Sequence, residues 1–386
     1  LGPHASASHA RALSVALPRG ASVCAMPPSE LACARDLPNI GASKKARRRF
    51  VKCAIDDFQA ALGRVAAGLA ERLAPSACDA AHRALSQRMT AALVDGLHPT
   101  FEDPAALAGY ALHRLRPRCR ALFDVLLAEE CCSLLQAIVR QARVGSAPLS
   151  IASLGGGPAF DAVALLATLD AVAGGEVARV ECEVLDLFPA WAECVSAVAA
   201  EAEVAWPHGQ RASSIFLTAP VDLCDVEPSE SADRTRRAVA RADIVCVSYV
   251  VHENEATLSL RSGAGQDQDG TELRLGGVFP AVFRAARPGA VLIFLDATHR
   301  LWPALAATAA DAVPYQGEND GAQDGFDIIV PQHLNAHVHA VVFVRRPYGE
   351  RYGIADGGRL PHSVPCLVGK TLEVFGLFLE HQRFNE

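Results

Sequence analysis

Three consecutive glycines closing a short apolar run constrain this chain more than any other feature. Ile151-Ala-Ser-Leu leads into Gly155, Gly156 and Gly157, then Pro158, Ala159 and Phe160, and an Ala-rich segment from Ala162 to Val172 begins with Asp161 in its first turn. The pattern predicts strand, tight turn, helix. Glycine lets the backbone approach a ligand with no Cβ in the way, and the first turn of the following helix offers unpaired N–H groups. A turn of this kind is built to hold something closely, and it belongs to an α/β fold with a parallel sheet.

A dinucleotide and S-adenosylmethionine both suit such a turn. The dinucleotide fingerprint G-x-G-x-x-G wants a third small residue for close helix packing, where this chain has Phe160. The stretch instead resembles motif I of class I S-adenosylmethionine-dependent methyltransferases, whose glycines alternate after an apolar strand. Here those positions are Gly155, Gly157 and Ala159, and Ser153 stands where the family usually carries an acid. The Gly-Gly-Gly-Pro form is also similar to a subgroup that includes fungal large-subunit rRNA uridine methyltransferases.

Further along, Val180, Cys182 and Val184 alternate with Arg179, Glu181 and Glu183, which predicts a strand that ends at Asp186-Leu187-Phe188. A carboxylate at that place can accept hydrogen bonds from both ribose hydroxyls of a nucleotide-type ligand. Trp191 follows early in the next helix, as an adenine-pocket wall or as core. Ser214 to Asp222 reads as the third strand and its end. The resemblance implies an acid there for the adenine amino group, with Asp222 the first choice and Asp225 the second.

Asp243-Ile-Val-Cys-Val-Ser-Tyr-Val-Val-His-Glu-Asn254 is an apolar run ending in polar groups, as a buried parallel strand would. By position it is the fourth strand, at whose end the resemblance implies the methyl-acceptor groups. Ser248, Tyr249, His252, Glu253 and Asn254 are the candidates, although the Asn/Asp-Pro-Pro-aromatic signature of exocyclic amine methylation is missing. His252, with an ordinary pKa near neutrality, is expected to be the better base beside Tyr249 and Glu253. A helix over Val278 to Ala286, then Arg287-Pro288-Gly289 and the apolar run Ala290 to Asp296, resembles the family's approach to its fifth strand. Thr298 and His299 lie just beyond it. Phe326–Val330, Val338–Val344 and Leu372–Leu379 compete for the final antiparallel hairpin.

Ahead of the glycine turn the periodicity is helical. Phe58, Leu62, Val65, Leu69 and Leu73 predict a helix capped by Asp56 and stopped by Pro75. A second carries Leu85, Met89 and Leu93. Asp103-Pro104 predicts the cap of a third helix that Pro117 interrupts, and a fourth is expected over 118–143. The resemblance implies that such a region covers the cofactor pocket and helps choose the substrate, and Tyr110, His113, Arg114, Arg116 and Arg118 are its candidate substrate contacts. Residues 1–50 are rich in Ala, Ser, Pro and Arg, with no acid before Glu30, which resembles an organellar transit peptide. The run Lys44-Lys-Ala-Arg-Arg-Arg49 also fits a nuclear signal or an RNA-touching patch. The expected division is 1–50 disordered or targeting, 51–145 helical, and 146–386 catalytic.

The formal net charge of −7 disfavours a surface devoted to nucleic acid and leaves local basic patches at 44–49, 114–120 and 235–241. Twelve cysteines without a C-x-x-C pair suit an intracellular, reducing compartment and predict no metal site. No apolar run approaches the ~20 residues of a membrane span. The expectation is a Rossmann-like α/β methyltransferase with a seven-stranded sheet and S-adenosylmethionine as cofactor. Ser153 and the Gly155–Gly157 backbone would hold the cofactor's amino-acid part, flanked by Asp161 and Ser248, with the ribose on Asp186 beside Leu187 and the adenine on Asp222. The acceptor is an RNA base or a small molecule. Two other readings of the turn are a nicotinamide-dependent oxidoreductase and a non-catalytic protein that binds cofactor or a partner.

Overall fold

The computed structural model describes residues 44–95, 101–144, 147–173, 179–206, 214–261, 273–314, 324–331, 338–346 and 363–366. Among them, four helices come first: α1 (Lys44–Leu73), α2 (Asp79–Asp95), α3 (Pro104–Leu126) and α4 (Glu129–Val144). Asp103 caps α3 as expected, its carboxylate accepting from the Ala105 N–H at 2.9 Å.

Two helix boundaries differ from the sequence expectation. α1 opens at Lys44 and runs through Asp56, which therefore caps nothing. Pro117 does not end α3, and the break falls instead at Leu127-Ala128. Proline removes one N–H from the helix, but Leu115, Cys119, Leu122 and Phe123 on either side of it are fully buried, so continuous packing outweighs the lost bond. The Phe58 and Phe123 rings stack at 3.9 Å between α1 and α3.

The rest of the chain alternates. β1 (Leu149–Leu154) leads through the glycine turn into α5 (Phe160–Ala173). Next come β2 (Val180–Leu185), a 3₁₀ turn (Pro189–Trp191), α6 (Ala192–Ala205), β3 (Ser214–Thr218), α7 (Glu230–Arg241) and β4 (Ile244–Ser248). The fourth strand is shorter than the apolar run suggested, because Val250–Glu253 turns into a short helix, α8, followed by α9 (Glu255–Leu258). A small hairpin, β5 (Ser259–Arg261) with β6 (Leu273–Leu275), precedes α10 (Phe279–Ala285), β7 (Val291–Asp296) and α11 (Trp302–Ala312). β8 (Phe326–Ile329), β9 (His339–Arg345) and the two-residue β10 (Val364–Pro365) complete the described elements. The strand expected at Leu372–Leu379 lies outside the described residues.

The main sheet has the order β3-β2-β1-β4-β7-β9-β8-β10. Its first five strands are parallel, and β9 inserts antiparallel between β7 and β8. This is a Rossmann-like methyltransferase sheet of seven strands, with β10 as a short addition at the edge, and β8 and β9 supply the antiparallel pair. The antiparallel insertion also separates it from the dinucleotide fold, whose order is 3-2-1-4-5-6.

Alternation along each strand divides the core in two. Ile151, Ile244 and Ile293 face α1–α6, while Leu154, Val245 and Phe294 face α7, α10 and α11. With both faces covered, the strands read as almost unbroken apolar runs. No described helix is long and apolar enough to cross a membrane.

A candidate cofactor cleft at the carboxyl ends of the strands

A cleft opens where β1, β2, β3 and β4 end, under α3. The order of the sheet reverses at β1, which has β2 on one side and β4 on the other, so the crevice lies at the topological switch point where ligands of open α/β sheets bind. Gly155 to Pro158, Phe160, Asp161, Asp186, Leu187 and Asp222 line it from one side. Ser248, Tyr249, Glu253 and Asn254 line it from the other.

Local backbone chemistry shapes the turn. Gly155 and Gly157 have φ of 65° and 48°, and a Cβ on Gly155 would fall 2.3 Å from Val250, so no other residue fits there. Ala159 also adopts positive φ, and the helix then starts at Phe160. Phe160 points towards α3, its ring 6.4 Å from that of Tyr110. A dinucleotide site would need a small residue at that position.

Asp186 ties the turn to β2. One carboxylate oxygen accepts from the Gly157 N–H at 2.9 Å and the other from the Phe188 N–H at 3.0 Å. Burial pushes its pKa up to about 6, against the stabilising pull of these N–H groups. Each oxygen keeps a second acceptor position, so a ribose diol could add to the set. Asp222 stands on the neighbouring rim and accepts from the Cys224 N–H at 2.8 Å. Asp225 is not a lining residue. Trp191 is both wall and core, buried yet facing the cleft beside Phe101 and Tyr110.

Ser153 is placed differently from the expectation. It is fully buried away from the cleft and its hydroxyl donates to Asp161 at 2.9 Å. It supports the first turn of α5 and does not face a ligand. Burial raises the Asp161 pKa, and the nearby Ser248 and Ser153 hydroxyls and Arg118 oppose that rise. The Ser248 hydroxyl is itself buried and makes no well-formed hydrogen bond.

At the β4 end, Tyr249 has φ 65°, a left-handed conformation that is strained for an aromatic residue. The kink turns its ring into the cleft, where the Arg118 guanidinium lies over it at 3.3 Å. Arg118 also reaches Glu253 at 3.3 Å. Glu253 is open to the cleft but ringed by protein, and burial raises its pKa while Arg118 holds it down. Of the substrate contacts expected on α3, Tyr110 and Arg118 reach the cleft, and His113, Arg114 and Arg116 do not. His113 instead stacks on His82 at 4.5 Å.

His252, expected to be the base, faces away from the cleft. It lines a small separate cavity with Asp296, Thr298 and Trp302, because α8 turns its side chain towards β7. His299 packs beside Trp302 and His339 and does not line the cleft either. Met89 and Phe101 complete the apolar wall on the helical side. Nothing local in the sequence marks either residue, since a loop ahead of α3 and a face of α2 bring them there.

No family model matches the chain, and no curated protein matches it. Solved structures similar to it include an O-methyltransferase family protein from Burkholderia thailandensis. It shares 15% identity over 68% of this chain and 70% of that one, with a TM-score of 0.37. The precorrin-6y C5,15-methyltransferase of Geobacter metallireducens shares 10% identity over 56% and 89%, at 0.28. Human N-acetylserotonin methyltransferase shares 14% over 67% of each chain, at 0.29. Similarity at this level adds nothing to the sheet order and the cleft, which identify the fold by themselves. The narrower resemblance to fungal rRNA uridine methyltransferases finds no support among them.

Proposed function

We propose that the protein is an S-adenosylmethionine-dependent methyltransferase. The observation that carries this reading is the Asp186 carboxylate, bonded to the Gly157 N–H inside a cleft that continues past Asp222 on one side and Tyr249 on the other. The residues present fit the group. Asp186 has acceptor positions for a sugar diol, Leu187 and Asp222 flank the place for a base, and Ser248 offers a buried hydroxyl without a well-formed partner.

When bound, this cofactor supplies a methyl group already activated by a sulfonium. The protein's share is then alignment, which by itself can lower a barrier by several kcal/mol, about 7–11 in well-oriented cases. Tyr249, Glu253 and Asn254 hold the acceptor, with Glu253 the group in the cleft able to take its proton. Burial keeps Glu253 more basic than an ordinary carboxylate, which suits that task. The acceptor is an RNA base or a small molecule, and no membrane partner is proposed.

Calorimetric titration with S-adenosylhomocysteine, followed by a labelled-methyl assay on total RNA and on a small-molecule extract, tests the reading. Micromolar binding and label in one acceptor class are expected. Binding without transfer to any acceptor would leave a cofactor-binding protein, and NADH binding in its place would overturn the assignment.

A further inference from the structure

The Arg118 guanidinium is only half satisfied. One terminal nitrogen, Nη2, meets Glu253 at a long 3.3 Å, while Nη1 is buried with no well-formed hydrogen bond, the Tyr110 and Tyr249 hydroxyls being the other polar neighbours of the guanidinium. A shielded guanidinium N–H without an acceptor is costly, and the group that satisfies it best is a carboxylate held by two parallel bonds. The guanidinium is also held in place. Its plane rests on the Tyr249 ring, and the next residue, Cys119, donates from its thiol to the Phe160 carbonyl at 3.4 Å, which pins this turn of α3 to the start of α5.

The order of the sheet sets what lies along the path to Arg118. Along the strand ends lie Asp222 after β3, Asp186 after β2, the glycine turn after β1 and Tyr249 after β4. A nucleoside with its base near Asp222 and its sugar on Asp186 sends whatever its sugar carries across the turn, towards β4 and Arg118. The cofactor proposed above carries an amino-acid tail that ends in a carboxylate. Ser153, expected from the sequence to hold that tail, is occupied with Asp161.

We infer that Arg118 is the carboxylate anchor of the cofactor's amino-acid tail, supplied by the helical N-terminal region to a cleft otherwise built by the sheet. This rests on the cofactor reading. It also makes the helical region a part of the binding site, beyond its role as a packed neighbour.

The full chain, as wild type, Arg118→Gln and Arg118→Lys, would be titrated calorimetrically with S-adenosylhomocysteine and with 5′-methylthioadenosine, which keeps the adenosine but lacks the carboxylate. Wild type should prefer the former by about 10- to 100-fold, the range expected for hydrogen bonds to a charged group. Arg118→Gln should erase that preference while binding 5′-methylthioadenosine as wild type does, and Arg118→Lys should restore part of it.

Unchanged S-adenosylhomocysteine affinity in Arg118→Gln would overturn the inference and assign the guanidinium to the acceptor. Equal loss for both ligands would overturn it in favour of a packing role. Wild type binding both ligands equally would sink the anchor and leave the cofactor reading standing, whereas wild type binding neither would sink both. Should the variants fail to fold, decarboxylated S-adenosylmethionine on wild type gives the same decision: a similar loss supports the anchor, and full affinity removes it.

Discussion

Asp186 and Asp296 are built alike and placed differently. Each ends a parallel strand, each is buried, and each has its pKa pushed up to about 6 by that burial. Each also accepts two backbone N–H groups: Gly157 and Phe188 for Asp186, His252 and Ala297 for Asp296. Asp186 lines the cleft, while Asp296 lies behind α8 in a small cavity of its own. The same device therefore fastens two walls, the glycine turn by Asp186 and α8 by Asp296. Only one of the two carboxylates is left where a ligand can share it.

Substitution should separate the pair. On the proposed reading, Asp186→Ala would remove the acceptor for a sugar diol and free the glycine turn, so S-adenosylhomocysteine affinity is expected to fall by about 100-fold or more, read by calorimetry. Asp296→Ala should leave that affinity within about threefold. It should instead cost about 2–4 kcal/mol in urea unfolding, because two N–H groups at the start of α8 and beyond β7 lose their acceptor. If both variants lost affinity equally, the distinction between ligand and support would fail.

Titration sharpens the same comparison. Both carboxyls ionise near 6 in the folded protein and near the ordinary 3.8 when unfolded. Between about pH 4 and 6 the folded state thus holds protons the unfolded chain has released, and stability of the unliganded protein falls as pH rises through that window. Asp296→Asn should flatten part of this slope in urea unfolding at a series of pH values. On the proposed reading, ribose hydroxyls would donate to the ionised form of Asp186, so cofactor affinity should rise as pH rises through about 6, with release of up to about one proton per site. Calorimetry in buffers of different ionisation enthalpy reads that proton directly, and Asp296→Asn should leave it in place.

What the sequence showed of this arrangement, and what it hid, follows from the range of the interactions. The glycine turn, the acid closing β2 and the cap at Asp103 are written in adjacent residues, because positive φ and free helical N–H groups are local demands. The succession of strands along the chain was legible as apolar runs, whereas their order in the sheet, with β9 between β7 and β8, depends on pairings between distant residues. The direction of a side chain in the short turn after β4 is not local. His252 and Glu253 are neighbours in sequence, yet the left-handed kink at Tyr249 and the one-turn helix after it send one towards β7 and the other into the cleft. Arg118 was one of several arginines on α3 until packing against α5 selected it, and Pro117 read as a break because the buried contacts on both sides of it are long-range.

The smallest effect is expected at His252, and it tests the comparison from the supporting side. Its backbone N–H donates to Asp296 at 2.8 Å, a bond that any residue at this position can make, and its ring faces a cavity separate from the cleft. His252→Ala should therefore keep the α8 tether, leave S-adenosylhomocysteine affinity unchanged and alter the rate of labelled-methyl transfer by no more than about twofold. Removal of a working general base costs about 10²- to 10⁴-fold, so the two roles are far apart on the same assay. A drop of that size in His252→Ala, with unchanged cofactor affinity, would mean that the acceptor enters from the Asp296 side of α8, and Glu253 would then lose the proton-accepting role to its neighbour.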